Sequence, residues 1–165
     1  MSLGVGFLRI GIMSDTHGSA EQALEIIPRM GKIDLLIHLG DYIEDSLILK
    51  TKFKELKILS IRGNCDRNSP GDDEIVYQLE SYKLFAVHGH QYGVKSNLNK
   101  LYYRALELGC NIALYGHTHV PVNIKYEDML IMNPGSLGCP RGGSKATYGI
   151  IELEEKGAFG EIIQI

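Results

Sequence analysis

Cysteine is scarce in this 165-residue chain: Cys65, Cys110 and Cys139 are the three, an odd number without framework spacing. That excludes a disulfide-stapled secreted scaffold and suits a reducing compartment, with Cys110 read as an ordinary thiol. Long apolar runs are missing as well. None approaches the ~20 residues of a membrane-spanning helix, and the opening residues lack the basic and apolar regions of a secretory signal. The expected setting is the cytoplasm, with no membrane partner. Charge of one sign is also lacking: a net charge of -3 and a pI near 6.1 leave no basic footprint for a long nucleic acid. A short nucleotide or small phosphate ester could still enter a local site. There is no internal repeat, low-complexity tract or interdomain linker.

What is present is length enough for one domain, read as residues 7–165 behind a flexible lead-in over 1–6. A chain of this size buries roughly two-thirds of its unfolded surface without staples, so a bound metal would serve function before folding.

In chain order, short apolar runs alternate with helical patterns. Phe7 to Met13 reads as a buried strand ending at Ser14-Asp15-Thr16-His17-Gly18. Ser19 can cap a helix over Ala20 to Met30, which Gly31 stops. Ile33 to Leu39 runs into Gly40-Asp41, and a helix is expected from Ser46 to Leu56 with Leu47, Ile48 and Phe53 in the core. Ile58 to Ile61 ends at Arg62-Gly63-Asn64-Cys65-Asp66, before a loop rich in turn residues. Strands follow at Ile75 to Leu79 and Lys83 to Val87, the latter meeting His88-Gly89-His90. Ser96 to Leu108 has helical spacing up to Gly109. The run Asn111 to Leu114 then leads into Tyr115-Gly116-His117-Thr118-His119. Strand patterns at Val122 to Tyr126, Met129 to Met132, Tyr148 to Leu153 and Phe159 to Ile165 complete the chain, with a glycine-rich loop from Asn133 to Ser144 between the second and third. Strands alternating with helices early and consecutive strands late predict a mixed α/β architecture with two sheets.

Five apolar runs each end within a few residues of a metal-ligand type: Asp15, Asp41, Asn64, His88 and His117. In α/β proteins such strand ends gather on one edge, where ligands bind. In an extended segment residues i and i+2 point the same way, so His117 and His119 are expected to present two imidazoles to one point. Asp15, His17, Asp41, Asn64, His88, His117 and His119 together offer oxygen and imidazole without thiolate, a set suited to divalent transition metals. Seven ligands exceed one such site and fit two that share a carboxylate.

Taken in order, Asp15-x-His17, Gly40-Asp41, Gly63-Asn64, His88-Gly89 and Gly116-His117-x-His119 resemble the five motifs of the calcineurin-like metallophosphoesterases, and the short chain resembles their small prokaryotic phosphodiesterase branch. The resemblance implies an α/β fold of two mixed β-sheets packed as a sandwich flanked by helices. It implies two divalent metal ions, Mn before Ni, Co, Fe or Zn. One is assigned to Asp15, His17 and His119, the other to Asn64, His88 and His117, with Asp41 bridging. Two such ions can share a water and lower its pKa, so the implied activity is metal-hydroxide hydrolysis of a small or nucleotide-like phosphodiester. The alternatives are a phosphomonoesterase and a non-catalytic scaffold of the same fold. Asp41, Asn64 and His90 carry the implied catalytic roles, and Asn64, Cys65 and Asn133 the substrate contacts. Many family members have histidine after the motif asparagine where this chain has Cys65. A thiol is a poor acid near pH 7, which tells against esters with poor leaving groups. His38 is weighed between a role beside the site and a hydrogen bond within its strand. Arg62, Arg67, Arg141 and Lys145 are read individually as solvated charge. Self-association fits a compact chain with exposed strand edges.

Overall fold

The computed structural model describes residues 7–165; the lead-in expected over 1–6 lies outside the described residues. Its elements are β1 (Leu8–Met13), α1 (Ala20–Arg29), β2 (Leu35–His38), α2 (Ile43–Lys52), β3 (Lys57–Ser60), β4 (Glu74–Leu79), β5 (Tyr82–Val87), α3 (Asn99–Glu107), β6 (Ile112–Leu114), β7 (Val122–Tyr126), β8 (Met129–Asn133), β9 (Thr147–Glu154) and β10 (Gly157–Gln164). A single 3-10 turn, His90–Tyr92, follows β5. They form two five-stranded sheets, β10-β9-β1-β2-β3 and β4-β5-β6-β8-β7. Both are mixed: β1, β2 and β3 run parallel, as do β5, β6 and β8, and antiparallel strands lie outside them. The expected two-sheet sandwich is what is found.

Side-chain alternation explains the layering. Ile10 and Ile12 of β1 meet Leu84 and Ala86 of β5, Leu114 of β6 and Met132 of β8 in the core between the sheets. The opposite faces pack on helices. Met13 and Leu36 lie with Ala23, Ile27 and Leu49 of α1 and α2, and Phe85 and Ala113 lie with Leu101 and Ala105 of α3. Helix α3 ends in a Schellman arrangement, with the Cys110 N–H bonded to the Ala105 carbonyl and that of Gly109 to Leu106.

Two local expectations are corrected. The second helix starts at Ile43 and ends at Lys52, and it buries Ile43, Asp45, Ser46 and Leu49 while Leu47 and Ile48 are about half exposed. Its start is hidden from sequence because its first amides are capped from a distant loop, as described below. Ser19 occupies the N-cap of α1, yet its hydroxyl makes no capping bond.

Candidate metal centre

The parallel strands deliver their C-terminal loops to one end of the sandwich, where the candidate ligands meet. Ligand atoms of Asp15, His17, Asp41 and His119 lie within 4.8 Å of one another. His119 Nε2 is 3.1 Å from Asp15 Oδ1, and His17 Nε2 is 3.3 Å from His119 Nε2 and 3.6 Å from Asp41 Oδ2. On the other side of Asp41, His88 Nε2 stands 3.4 Å from Asp41 Oδ1 and 3.1 Å from Asn64 Oδ1. The His117 ring lies 5.1 Å from that of His88, and His90 stands 6.0 Å from His117.

One sequence expectation fails here although its residues converge. His117 and His119 are not on an extended segment; both have left-handed backbones, φ 67° and 60°. Their imidazoles therefore diverge, His119 toward Asp15 and His17, His117 toward His88 and His90. Asp15, His17 and Asp41 are left-handed too, at φ 53°, 47° and 55°. A non-glycine residue held there costs on the order of 1–2 kcal/mol, and such strain collects at functional sites. Glycine is required where these loops touch. A Cβ on Gly63 would stand 2.0 Å from Asp41 Oδ1, and one on Gly116 2.1 Å from Ser14 Oγ.

The arrangement demands positive charge. His119 donates its Nδ1 proton to the Cys139 carbonyl at 2.5 Å, so the neutral ring turns a lone pair on Nε2 toward Asp15. Asp15 is fully buried; its Oδ2 accepts from Ser14 Oγ and the His117 N–H, but no donor is aligned on its Oδ1. His88 is fixed the same way, donating from Nδ1 to the Leu39 carbonyl at 2.7 Å and aiming Nε2 at Asp41 and Asn64. Lone pairs facing lone pairs in a buried site call for a cation. The titration directions show the same demand for positive charge, met in the metal-free chain by a proton on His119 facing Asp15. Burial pushes the Asp15 carboxyl up, yet His119, His88 and Ser14 outweigh it and leave its pKa below the ordinary value. The Asp15 carboxylate holds His119 above the usual imidazole range. Burial, aided by His88, takes His117 down to about 4 and also lowers His90. Desolvation and the Asp41 carboxylate push the Cys65 thiol up to about 11.

Cys65 sits within the constellation, its N–H 2.9 Å from Asp41 Oδ1 and its Sγ 3.4 Å from Asp41 Oδ2. Asn133 does not present itself to a substrate. Fully buried, it donates to the Gly116 carbonyl and Thr118 Oγ1 and accepts from the Gly135 N–H, bracing the loop that carries His117 and His119.

Three supporting residues escaped the sequence reading or were left undecided. Asp66 accepts from the backbone N–H groups of Tyr42, Ile43 and Gly63, clamping the Asp41 loop and the start of α2 to the Asn64 loop. A carboxylate two residues past Asn64 was the only signal. Ser136 donates to the Asp15 carbonyl at 2.7 Å and accepts from the Cys139 N–H. His38 has no exposure; its Nδ1 accepts from the Gly40 N–H, which leaves Nε2–H for Thr16 Oγ1 at 3.0 Å. Thr16 in turn donates to the Asp41 carbonyl, so His38 joins two ligand-bearing loops and does not reach the ligand cluster.

A two-sheet sandwich with an Asp/His cluster able to hold metal at its loop end defines a class of phosphoesterases. The chain matches the calcineurin-like phosphoesterase superfamily domain over residues 8–156 and belongs to that family. It is 35% identical over 153 residues to the probable metallophosphoesterase YsnB of Bacillus subtilis (strain 168), covering 92% of this chain and 88% of that protein. It is 30% identical over 171 aligned positions to the phosphodiesterase YfcE of Escherichia coli (strain K12), covering 88% of each. Among solved structures, a conserved uncharacterized protein of Streptococcus pneumoniae TIGR4 superposes with a TM-score of 0.84 at 31% identity, over 96% of this chain and 90% of that one.

Proposed function

We propose that the protein is a phosphodiesterase dependent on two divalent transition-metal ions. The observation that carries the reading is the buried Asp15 Oδ1, without a hydrogen-bond donor and faced at 3.1 Å by a histidine nitrogen whose proton lies on the far side of the ring. Asp15, His17 and His119 would hold one ion and Asn64, His88 and His117 the other. Asp41 stands between the groups, with Oδ2 toward His17 and Oδ1 toward His88. When bound, such ions would supply a water of lowered pKa and positive charge toward the phosphate oxygens.

The chain's own groups do the rest. Carbonyl acceptors at Leu39 and Cys139 fix the tautomers of His88 and His119 before any ligand arrives. His117, with its pKa near 4, is neutral and able to ligate at pH 7. Cys65 stays a thiol and His90 a neutral imidazole, so neither offers a cationic acid at the leaving group. Esters with good leaving groups are therefore the better substrates. The similarity to phosphodiesterase YfcE supports the diester over the monoester.

The test uses metal-stripped protein with Mn, Ni, Co, Zn or Mg added back and p-nitrophenyl mono- and diesters compared in parallel. Diester hydrolysis restored by a transition metal, and lost in Asp41→Ala with the circular dichroism unchanged, supports the proposal. Hydrolysis of the monoester alone replaces it with the phosphomonoesterase reading. No hydrolysis by well-folded, metal-loaded protein leaves the scaffold reading.

A further inference from the structure

A cavity of about 250 Å³ opens beside the metal centre, walled by Arg62, Asn64, Arg67, Asp73, His90 and Gln91. Asn64 and His90 belong to both the cavity and the centre, so an ester held at the centre has this space directly beside it. The wall is polar, and apart from the His90 imidazole it has no aromatic or apolar face on which a nucleobase could stack.

Its charges are unequal in freedom. The Arg62 guanidinium is bound to Asp73 through Nε at 3.1 Å and Nη2 at 2.7 Å, and its Nη1 donates to the Ser69 carbonyl. Asp66, which also borders the space, is buried, and three backbone N–H groups occupy its oxygens. Arg67 is exposed and, among the described residues, has neither an ion pair nor a hydrogen bond. A planar fork of donors left free at the wall suits a carboxylate or phosphate.

We infer that this cavity receives the second arm of the substrate and selects an arm bearing its own anion, a carboxylate or a further phosphate, through Arg67. The inference rests on the phosphodiesterase reading. It assigns the substrate class to small, doubly charged diesters in preference to diesters whose second arm is neutral or a bare nucleoside.

The experiment separates the two readings. Zn-loaded protein is titrated with dimethyl phosphate and with carboxymethyl methyl phosphate while backbone amide resonances are followed. The carboxymethyl ester should bind about tenfold more tightly, as expected of one charge-assisted contact, and should shift the amides of Arg67 and Gln91. Arg67→Gln should remove the difference between the two ligands. Gln91→Glu, which adds a carboxylate to the same wall, should reverse it. Equal affinity in the wild type, or a preference that survives Arg67→Gln, overturns the inference. Separately, p-nitrophenyl esters with the same two arms report hydrolysis. Discrimination in binding without hydrolysis of either ester keeps the anion-selecting cavity and removes the phosphodiesterase; hydrolysis of both without discrimination does the opposite.

Discussion

Replacing Asp66 by alanine should cost the protein about 3–5 kcal/mol, because one carboxylate serves three backbone donors. The bonds to Ile43 and Gly63 N–H, 2.9 and 2.8 Å long, are buried, and the bond to Tyr42 N–H, also 2.9 Å, is partly buried. A buried donor left without an acceptor costs roughly 1–3 kcal/mol, while water can replace the partner at Tyr42 at a smaller loss. Loss of negative charge at the start of α2 adds up to about 1 kcal/mol. With a urea slope of about 2 kcal/mol/M, the midpoint should fall by about 2 M. Asp66→Asn keeps one acceptor oxygen and should lose about half as much. The control is Asp73→Ala, an exposed partner of Arg62, expected to move the midpoint by no more than about 0.5 M. Because the Gly63 backbone lies against the Asp41 carboxylate, both Asp66 variants should also weaken metal binding by about tenfold, read by calorimetry. A midpoint shift no larger than the control's would refute the clamp. A full shift with unchanged metal affinity would refute its transmission to the site.

Acid stability should track His38, whose burial takes its pKa from 6.5 down to about 4. The unfolded chain takes up this proton first. The contribution is therefore complete above pH 6.5 and lost as pH falls toward 4, about 3 kcal/mol in all; His38→Gln should flatten that limb in pH-dependent urea unfolding, and an unaltered limb would reject the assignment. Gly116→Ala drives a Cβ into Ser14 Oγ and Asp15 Oδ2 and should cost about 1–3 kcal/mol and abolish metal uptake; full metal stoichiometry in this variant would contradict the packing. Saturating the wild type with a transition metal at 100 times its Kd should add about 2.7 kcal/mol, a rise of roughly 5–10 °C in thermal midpoint. Asp15→Asn should not show it, and an equal rise there would place the metal elsewhere.

Much of the architecture was legible because burial writes itself into periodicity. Strands inside a sandwich must be apolar on the inner face, and those covered by helices on both faces, so β1, β2, β5, β6 and β8 stood out as runs. Helix α2 was misplaced because Asp66 caps it from across the chain, and because Leu47 and Ile48 are apolar yet solvent-facing. The ligand types could be read from their positions at strand ends, but their directions could not.

Residue order alone determined that seven side chains of metal-ligand type follow apolar strands, and topology carries those strand ends to one edge wherever the sheets form. Only the tertiary structure decided which of them face one another. Left-handed turns at His117 and His119 send two neighbouring imidazoles to opposite sides of Asp41. Long-range bonds turn His38 and Asn133 inward as braces, while Arg67 is left as the free cation on the wall of the adjoining cavity among the described residues. These outcomes depend on which backbone donors and acceptors remain unpaired after the loops meet, and that is a property of the packed molecule.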